Sequence, residues 1–540
     1  MKSNMKKAAV IFAAMAFATG LRAQNLESGI KMYNYNRWQS AQKILLPLAA
    51  TDAKANYYLG LTYLELGDLA TAESTFTKFP EDPANKSGLA RLAFAKNDNG
   101  KGMQIAKELA ESAKKKEIEP LRYAADAVLH SNGGDYLQAV KWDSAAYKRG
   151  AHDAAILIAM GDAFRKISGG GGEAMNNYEN ACEVEKNNSL GYSRIGDLWF
   201  DATNYKLALD NYSKAKEFDA SNPLPYKALA LAFQRSGKYD KALENIREYL
   251  KYSDNSFADK RMNAQILYQS KNYCDAIKAA KELQSVTPMA DSVKTELVGI
   301  IGFSQIYCND SMEAVKNIRT YLSMQQPSKI RPATYIDYGK LWLKLDNLDS
   351  AAYYYSLGLS ADTSKDKTET YRQLADAYKA KKNYCKSAEW YNNLVKSRPE
   401  TQASDYAWRG IMFYFCGDYQ ATINSMVEME KRYPDQPSAY LYAAKAAAAI
   451  DSTDTSGLAV PYYAQWFEKV GPNYDKKNEL KPAYGYLLVY YFNKEDKDKL
   501  ELYKSKLRAL DPDDKYLKQI EALEEQAKKK PAGSGAPKKK

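Results

Sequence analysis

The sequence predicts an all-α solenoid of stacked antiparallel helix pairs, and three observations carry that prediction. A small residue recurs at Ala41, Ala72, Ala106, Ala139, Ala174, Ala208, Ala242, Ala276, Ala314, Ala351, Ser387 and Thr422, at intervals of 31 to 38 residues. Apolar residues around it fall three and four apart, as Leu59, Tyr63 and Leu66 do, which places them on one helix face. Turn residues such as Gly67-Asp68, Gly237-Lys238 and Gly417-Asp418 stand between the two helices of a period. A fixed period of this length marks an array in which each unit buries its apolar face against its neighbours. Such an array accommodates 540 residues without one large core, and an aromatic content of 12% argues against disorder.

Residues 1–23 read as an export signal. Lys2, Lys6 and Lys7 form the positive region, Ala8 to Ala18 is apolar, and Ala23 is a small residue ahead of the cut before Gln24. The apolar run is too short to span a bilayer, which takes roughly 18 residues or more. No other segment is long and apolar enough to cross a membrane.

Residues 24–435 hold about twelve helix pairs. Gly60, Gly196, Gly302, Gly339 and Gly410 on first helices, and the small residue on second helices, allow close helix approach. Asn222-Pro223, Pro399 and Pro434 close units. Gly169 to Gly172 stands where Gly-Asp stands elsewhere and reads as an extended turn. No Lys-Ser/Thr follows it, so it is not a phosphate cradle. Residues 436–527 are a degenerate continuation. Ser438 to Ile450 is an Ala-rich helix, Val460-Pro461 opens an aromatic helix through Trp466-Phe467, and Lys481 to Phe492 pairs with Lys497 to Leu510. Asp514 to Lys528 is a charged helix suited to closing a solenoid end. Residues 528–540 read as a disordered Lys-rich tail.

The repeating residues resemble the tetratricopeptide repeat. Tyr192, Ile195, Gly196, Trp199, Tyr205, Ala208, Tyr212 and Ala215 shift by 34 onto Tyr226, Leu229, Ala230, Phe233, Tyr239, Ala242, Ile246 and Leu250 within one position. The resemblance implies a right-handed superhelix with a concave groove lined by first helices, used to hold other proteins. It also implies the groove positions, which here are Lys227, Leu231, Arg235, Arg261, Gln265, Tyr268, Lys340, Lys344 and Arg372. Arg and Tyr are enriched in binding hot spots, although an ordinary solvated face explains the same residues. The family's two-carboxylate clamp does not carry over, because Ser193 and Asp197 occupy the positions of its first Lys and Asn.

The repeat register bears on the cysteines. Cys274 and Cys385 each lie two residues before a small anchor, and Cys308 and Cys416 each lie six before the next. Each pair therefore sets the start of a second helix beside the end of the following first helix. This predicts disulfides Cys274–Cys308 and Cys385–Cys416, which an exported compartment permits. The alternative is four small core hydrophobes. Cys182 is left over, expected buried and unpaired. No Cys-x-x-Cys is present, so neither a zinc site nor any other metal or cofactor is indicated.

The formal charge is +11, yet removing the four basic residues of 1–23 and the six lysines of 528–540 leaves about +1. A nucleic-acid protein carries its basic stripe on the folded surface instead. Of two histidines, His130 is expected in a packed aromatic face, and His152 has no recognisable partner. No Gly-x-Ser-x-Gly turn exists, and Asp513-Asp514 and Glu524-Glu525 read as solvated helix faces. These features point to a non-catalytic scaffold or adaptor in the bacterial cell envelope, serving secretion, motility, outer-membrane assembly or energised transport. Its expected partners are other envelope proteins or peptide segments, with weak contact of the basic tail to anionic envelope components. A glycan- or peptidoglycan-binding envelope protein is the alternative.

Overall fold

The computed structural model describes residues 23–150, 152–286, 288–308, 310–363, 366–398, 400, 402–453 and 455–529. The expected export signal lies outside them except for Ala23, and the expected tail except for Lys528 and Lys529. Among the described residues every regular element is helical and no strand is present. No described helix is long and apolar enough to cross a membrane. The chain divides into two compact units, Met1–Asn317 and Ile318–Lys540.

The first unit is a run of helix pairs. Residues 23–34 pair with Trp38–Leu45, Ala53–Glu65 with Leu69–Phe76, Pro83–Ala95 with Asn99–Glu111, and Glu119–Leu129 with Tyr136–Lys148. Then come Ala154–Arg165 with Gly171–Val184, Ser189–Asp201 with Tyr205–Phe218, Pro223–Arg235 with Tyr239–Tyr252, and Phe257–Gln269 with Tyr273–Gln284, followed by Asp291–Gln305. In the second unit Pro332–Lys344 pairs with Leu348–Ala361, Thr368–Ala380 with Tyr384–Ser397, and Ala403–Cys416 with Tyr419–Arg432. Pro437–Ile450 with Val460–Val470 and Lys477–Asn493 with Lys497–Leu510 follow, and Lys515–Lys529 ends the unit.

The short turn inside most pairs explains why the chain reverses there. Its first residue takes a left-handed conformation, at φ +81° for Gly67 and +87° for Gly417, but also +63° for Asn97 and +58° for Lys382. Where the next residue is Asp, it caps the second helix. Asp68 accepts from Thr71 N at 3.0 Å, Asp98 from Lys101 N at 3.0 Å, and Asp418 from Ala421 N at 2.9 Å. These side chains satisfy amide groups that the helix itself leaves open.

Packing follows the predicted anchors. All twelve small residues, from Ala41 to Thr422, are no more than 1% exposed. Aromatic side chains four residues further on plug the space between first helices. Phe76 is fully buried between Gly60 and Gly88, where any side chain would overlap its ring. Tyr178 lies in the same way against Gly161, and Tyr212 against Gly196.

Three local features differ from the sequence reading. Gly171 and Gly172 form the first residues of a helix, so only Gly169 and Gly170 remain as turn. Helix Lys477–Asn493 starts four residues before Lys481 and carries Pro482 inside it. His130 ends helix Glu119–Leu129 instead of packing within it. Its side chain is 42% exposed and its Nδ1 lies 2.9 Å from the Asp126 carbonyl oxygen.

Candidate interaction surface

In the first unit, Ala53–Glu65, Pro83–Ala95, Glu119–Leu129 and Ala154–Arg165 pack successively on one another, whereas successive second helices approach less closely. First helices therefore occupy the inside of the curve, the side on which the resemblance places the groove. In the second unit Ala403–Cys416 and Pro437–Ile450 show the same relationship.

The polar side chains on these helices are joined across repeats. In the first unit Arg165 reaches Asp197 at 3.2 Å and Asp201 at 2.6 Å, and Arg194 reaches back to Asp162 at 2.8 Å. Lys227 pairs with Asp259 at 2.9 Å, and Arg261 pairs with Glu296, which also accepts from the Gln265 amide. In the second unit Arg372 grips Asp405 through Nε at 3.0 Å and Nη2 at 2.8 Å. Each link spans about one repeat in sequence, so the ions tie neighbours together in a ladder. Bidentate guanidinium–carboxylate geometry of this kind fixes orientation as well as adding attraction.

A second set of contacts locks each pair internally. Tyr178 donates to Asp162 at 2.7 Å, Tyr212 to Asp197 at 2.9 Å, and Tyr391 to Asp376 at 2.6 Å. Burial and the acceptor carboxylate push these hydroxyls well above their ordinary pKa. Asp162 and Asp197 also belong to the guanidinium ladder, so packing and charge converge there on one row, while Asp376 pairs with Lys379 of its own helix.

A buried ionic node surrounds Arg91, 5% exposed, which lies 3.3 Å from Asp126 and 3.4 Å from Glu65. Burial would raise the Asp126 carboxyl, but His130 and Arg91 beside it hold it well below the usual carboxylate range. Asp143 is different. It occupies the position that Tyr178 and Tyr212 fill in later repeats, it is 4% exposed, and burial pushes its carboxyl well above the ordinary range.

The expected surface residues therefore sort by partner. Lys227, Arg261, Gln265 and Arg372 belong to the ladder. Lys340 pairs within its own helix with Asp337 at 3.1 Å, and Lys344 is exposed. Leu231 is half-buried, and Tyr268 sets its ring edge-on to Tyr273 at 6.1 Å. Arg235 is exposed at the end of its helix. Sequence reasoning missed the acidic half of the ladder, Asp162, Asp197, Asp259, Glu296 and Asp405. The signal was a base and an acid one repeat apart, which an inspection of single helices does not reveal.

Both expected disulfides have bonding geometry. Cys274–Cys308 has an S–S distance of 2.14 Å and Cα atoms 5.7 Å apart, and Cys385–Cys416 has 2.01 Å and 4.8 Å. Each joins the start of a second helix to the end of the next first helix, within one unit. Beside each bridge lies an aromatic pair, Tyr273 stacked on Tyr307 at 4.3 Å and Tyr384 against Phe415 at 5.2 Å. Tyr307 is 55% and Phe415 52% exposed. Cys182 is unbridged but only half-buried, because it packs at a repeat edge beside Gly191. His152 stands edge-on to the Tyr147 ring at 4.9 Å.

Residues 227–288 match the family model of the tetratricopeptide repeat. The chain carries tetratricopeptide repeats. The matched stretch holds Lys227, Asp259 and Arg261, so this part of the ladder is built on tetratricopeptide units. Solved structures that the chain resembles include the C-terminal part of a tetratricopeptide-repeat protein from Cytophaga hutchinsonii, at 26% identity, covering 48% of this chain and 98% of that one with a TM-score of 0.33. A tetratricopeptide-repeat protein from Parabacteroides merdae matches at 17% identity over 48% and 98%, TM-score 0.30. PilF of Pseudomonas aeruginosa matches at 18% identity over 40% and 94%, TM-score 0.30. No curated protein matches the sequence.

Proposed function

We propose that this protein is a non-catalytic scaffold of the bacterial cell envelope that holds an extended segment of another envelope protein on the inner face of its repeats. The observation that carries this reading is the ladder. Ions shared between successive first helices hold that face in one arrangement before any partner arrives. A preformed surface loses less side-chain freedom on binding than a mobile one. Export is supported by the signal-like residues 1–23 and by two bridged cysteine pairs, which persist in oxidising compartments. The machine served belongs to secretion, motility, outer-membrane assembly or energised transport.

Crosslinking in intact cells followed by affinity capture tests the scaffold. The expected result is a reproducible envelope protein, crosslinked to first-helix peptides. No reproducible protein partner would defeat the reading. N-terminal sequencing of the purified protein tests export, with Gln24 expected as the first residue.

A second reading, binding to glycan or peptidoglycan, draws on the exposed aromatic pairs at Tyr273–Tyr307 and Tyr384–Phe415. Sedimentation with purified cell wall separates the two. Retention abolished by Tyr307→Ala and Phe415→Ala would favour the second.

A further inference from the structure

The first unit contains a contact that its stacking order does not require. Helix Trp38–Leu45 makes no side-chain cap of its own at Arg37. Its first amides are capped instead by a carboxylate more than two hundred residues away. Asp254 accepts from Gln39 N at 2.8 Å and Ser40 N at 3.1 Å through one oxygen, and from Ser40 Oγ at 2.6 Å through the other. Arg37 Nε lies 3.4 Å from the same group. Nearby, the Tyr35 hydroxyl donates to Asp219 and lies 3.3 Å from Ser221 Oγ, while Lys31 sits 5.2 Å from the Tyr35 ring centre. Asn255, at φ +54°, bends the loop that presents Asp254, and its amide donates to the Leu250 carbonyl at 3.1 Å.

We propose that residues 35–40 form a releasable clasp that closes the first coil of this unit against the loops at 219–221 and 253–256. The carboxylate supplies what a helix N-terminus lacks, namely acceptors for its open amides and negative charge for its dipole. The contact differs in kind from those between consecutive repeats, which bury apolar side chains. The apolar cluster around helix Trp38–Leu45 consists of Leu45, Leu48, Leu59 and neighbours up to Tyr63, and takes nothing from 219–256. Arg37 is 29% and Asp254 11% exposed, so water reaches the pair. Neither disulfide spans the closure. The seam is polar apart from the buried Tyr35 side chain, so it opens without unstacking any repeat. Closed, the coil encircles what lies on its inner face; open, it admits a segment sideways. Only that last consequence rests on the protein-binding reading.

The test uses the full-length protein without a partner, so its outcome is independent of whether a partner is ever found. Amine crosslinking with mass spectrometry should join Lys31 or Lys43 to Lys216 or Lys251. Hydrogen exchange should find the peptide covering 38–45 protected. Asp254→Ala and, separately, Arg37→Glu should deplete those crosslinks and speed exchange at residues 39–41 by about tenfold or more, with helical content and melting unchanged. Raising salt to about 1 M should move the unaltered protein the same way. Crosslinks and exchange unmoved in both variants would overturn the proposal. So would their loss together with helical content, because the coil then does not open on its own.

Discussion

Arg372 and Asp405 sit one repeat apart and meet through two parallel hydrogen bonds of 3.0 and 2.8 Å, with the carboxylate side chain only 3% exposed. The pair shows what the polar residues of first helices do in this protein. Removing the guanidinium leaves a buried carboxylate without its cation, whereas removing an exposed lysine leaves nothing unsatisfied.

Arg372→Ala is therefore expected to destabilise the second unit by about 1–3 kcal/mol. Lys340→Ala, which breaks an exposed pair within one helix, should cost less than about 0.5 kcal/mol. Urea unfolding, with hydrogen exchange to localise the loss to 368–416, compares the two. Equal effects would show that Arg372 faces solvent as freely as Lys340 does.

The disulfides close loops of similar size, with sequence separations of 34 and 31. On the chain-entropy account each restricts the unfolded chain by roughly 3–4 kcal/mol. Cys274→Ser and Cys385→Ser should each lower the melting temperature under non-reducing conditions. Under strong reductant, variant and unaltered protein should melt within about a degree of one another if the variant serine is otherwise tolerated. Non-reducing peptide mapping should recover Cys182 as the free thiol.

The fold was legible because the period is carried by residues whose burial is complete. Ala208 and Ala242 cannot grow without separating helices, so they recur visibly. The turns were harder to read. Left-handed positions are filled by Asn97, Thr203, Lys271 and Lys382 as well as by glycine, and the steadier signal is the Asp or Asn that follows. His130 was misplaced because a helix ending at Leu129 turns the next side chain outward. The ladder was invisible to a reading of single helices because its partners lie about one repeat apart and the sequence does not show which way a long side chain leans. The clasp was less legible still. Nothing in the residues near 37 or 254 announces that a coil returns to meet itself.

Close helix crossing gives a third test. A methyl group built on Gly196 would lie 2.6 Å from the Tyr212 ring. Gly196→Ala should destabilise by about 1–3 kcal/mol through overpacking, although alanine favours helix more than glycine does. Tyr212→Leu in the same chain should recover part of the loss by vacating the space. A gain in stability from Gly196→Ala alone would mean the helices can separate without cost.

Asp143 offers the sharpest reading of pH. It stands where later repeats place a tyrosine, and burial raises its carboxyl well above the ordinary value, so the folded protein favours the protonated form. A carboxyl with a raised folded pKa contributes its full stability below the unfolded value of about 3.9, and that contribution disappears as pH rises through the folded value. Ionising it places a buried charge near Asp126, offset in part by Arg122. Asp143→Asn removes that charge while keeping the shape. The variant is expected to gain about 1–2 kcal/mol over the unaltered protein at pH 7. The gain should shrink as pH falls towards about 4, where both side chains are neutral. Denaturant unfolding across that range measures it. A variant less stable at pH 7, or a gain that grows on acidification, would mean that the carboxylate is stabilised in the folded protein and that burial does not dominate its titration.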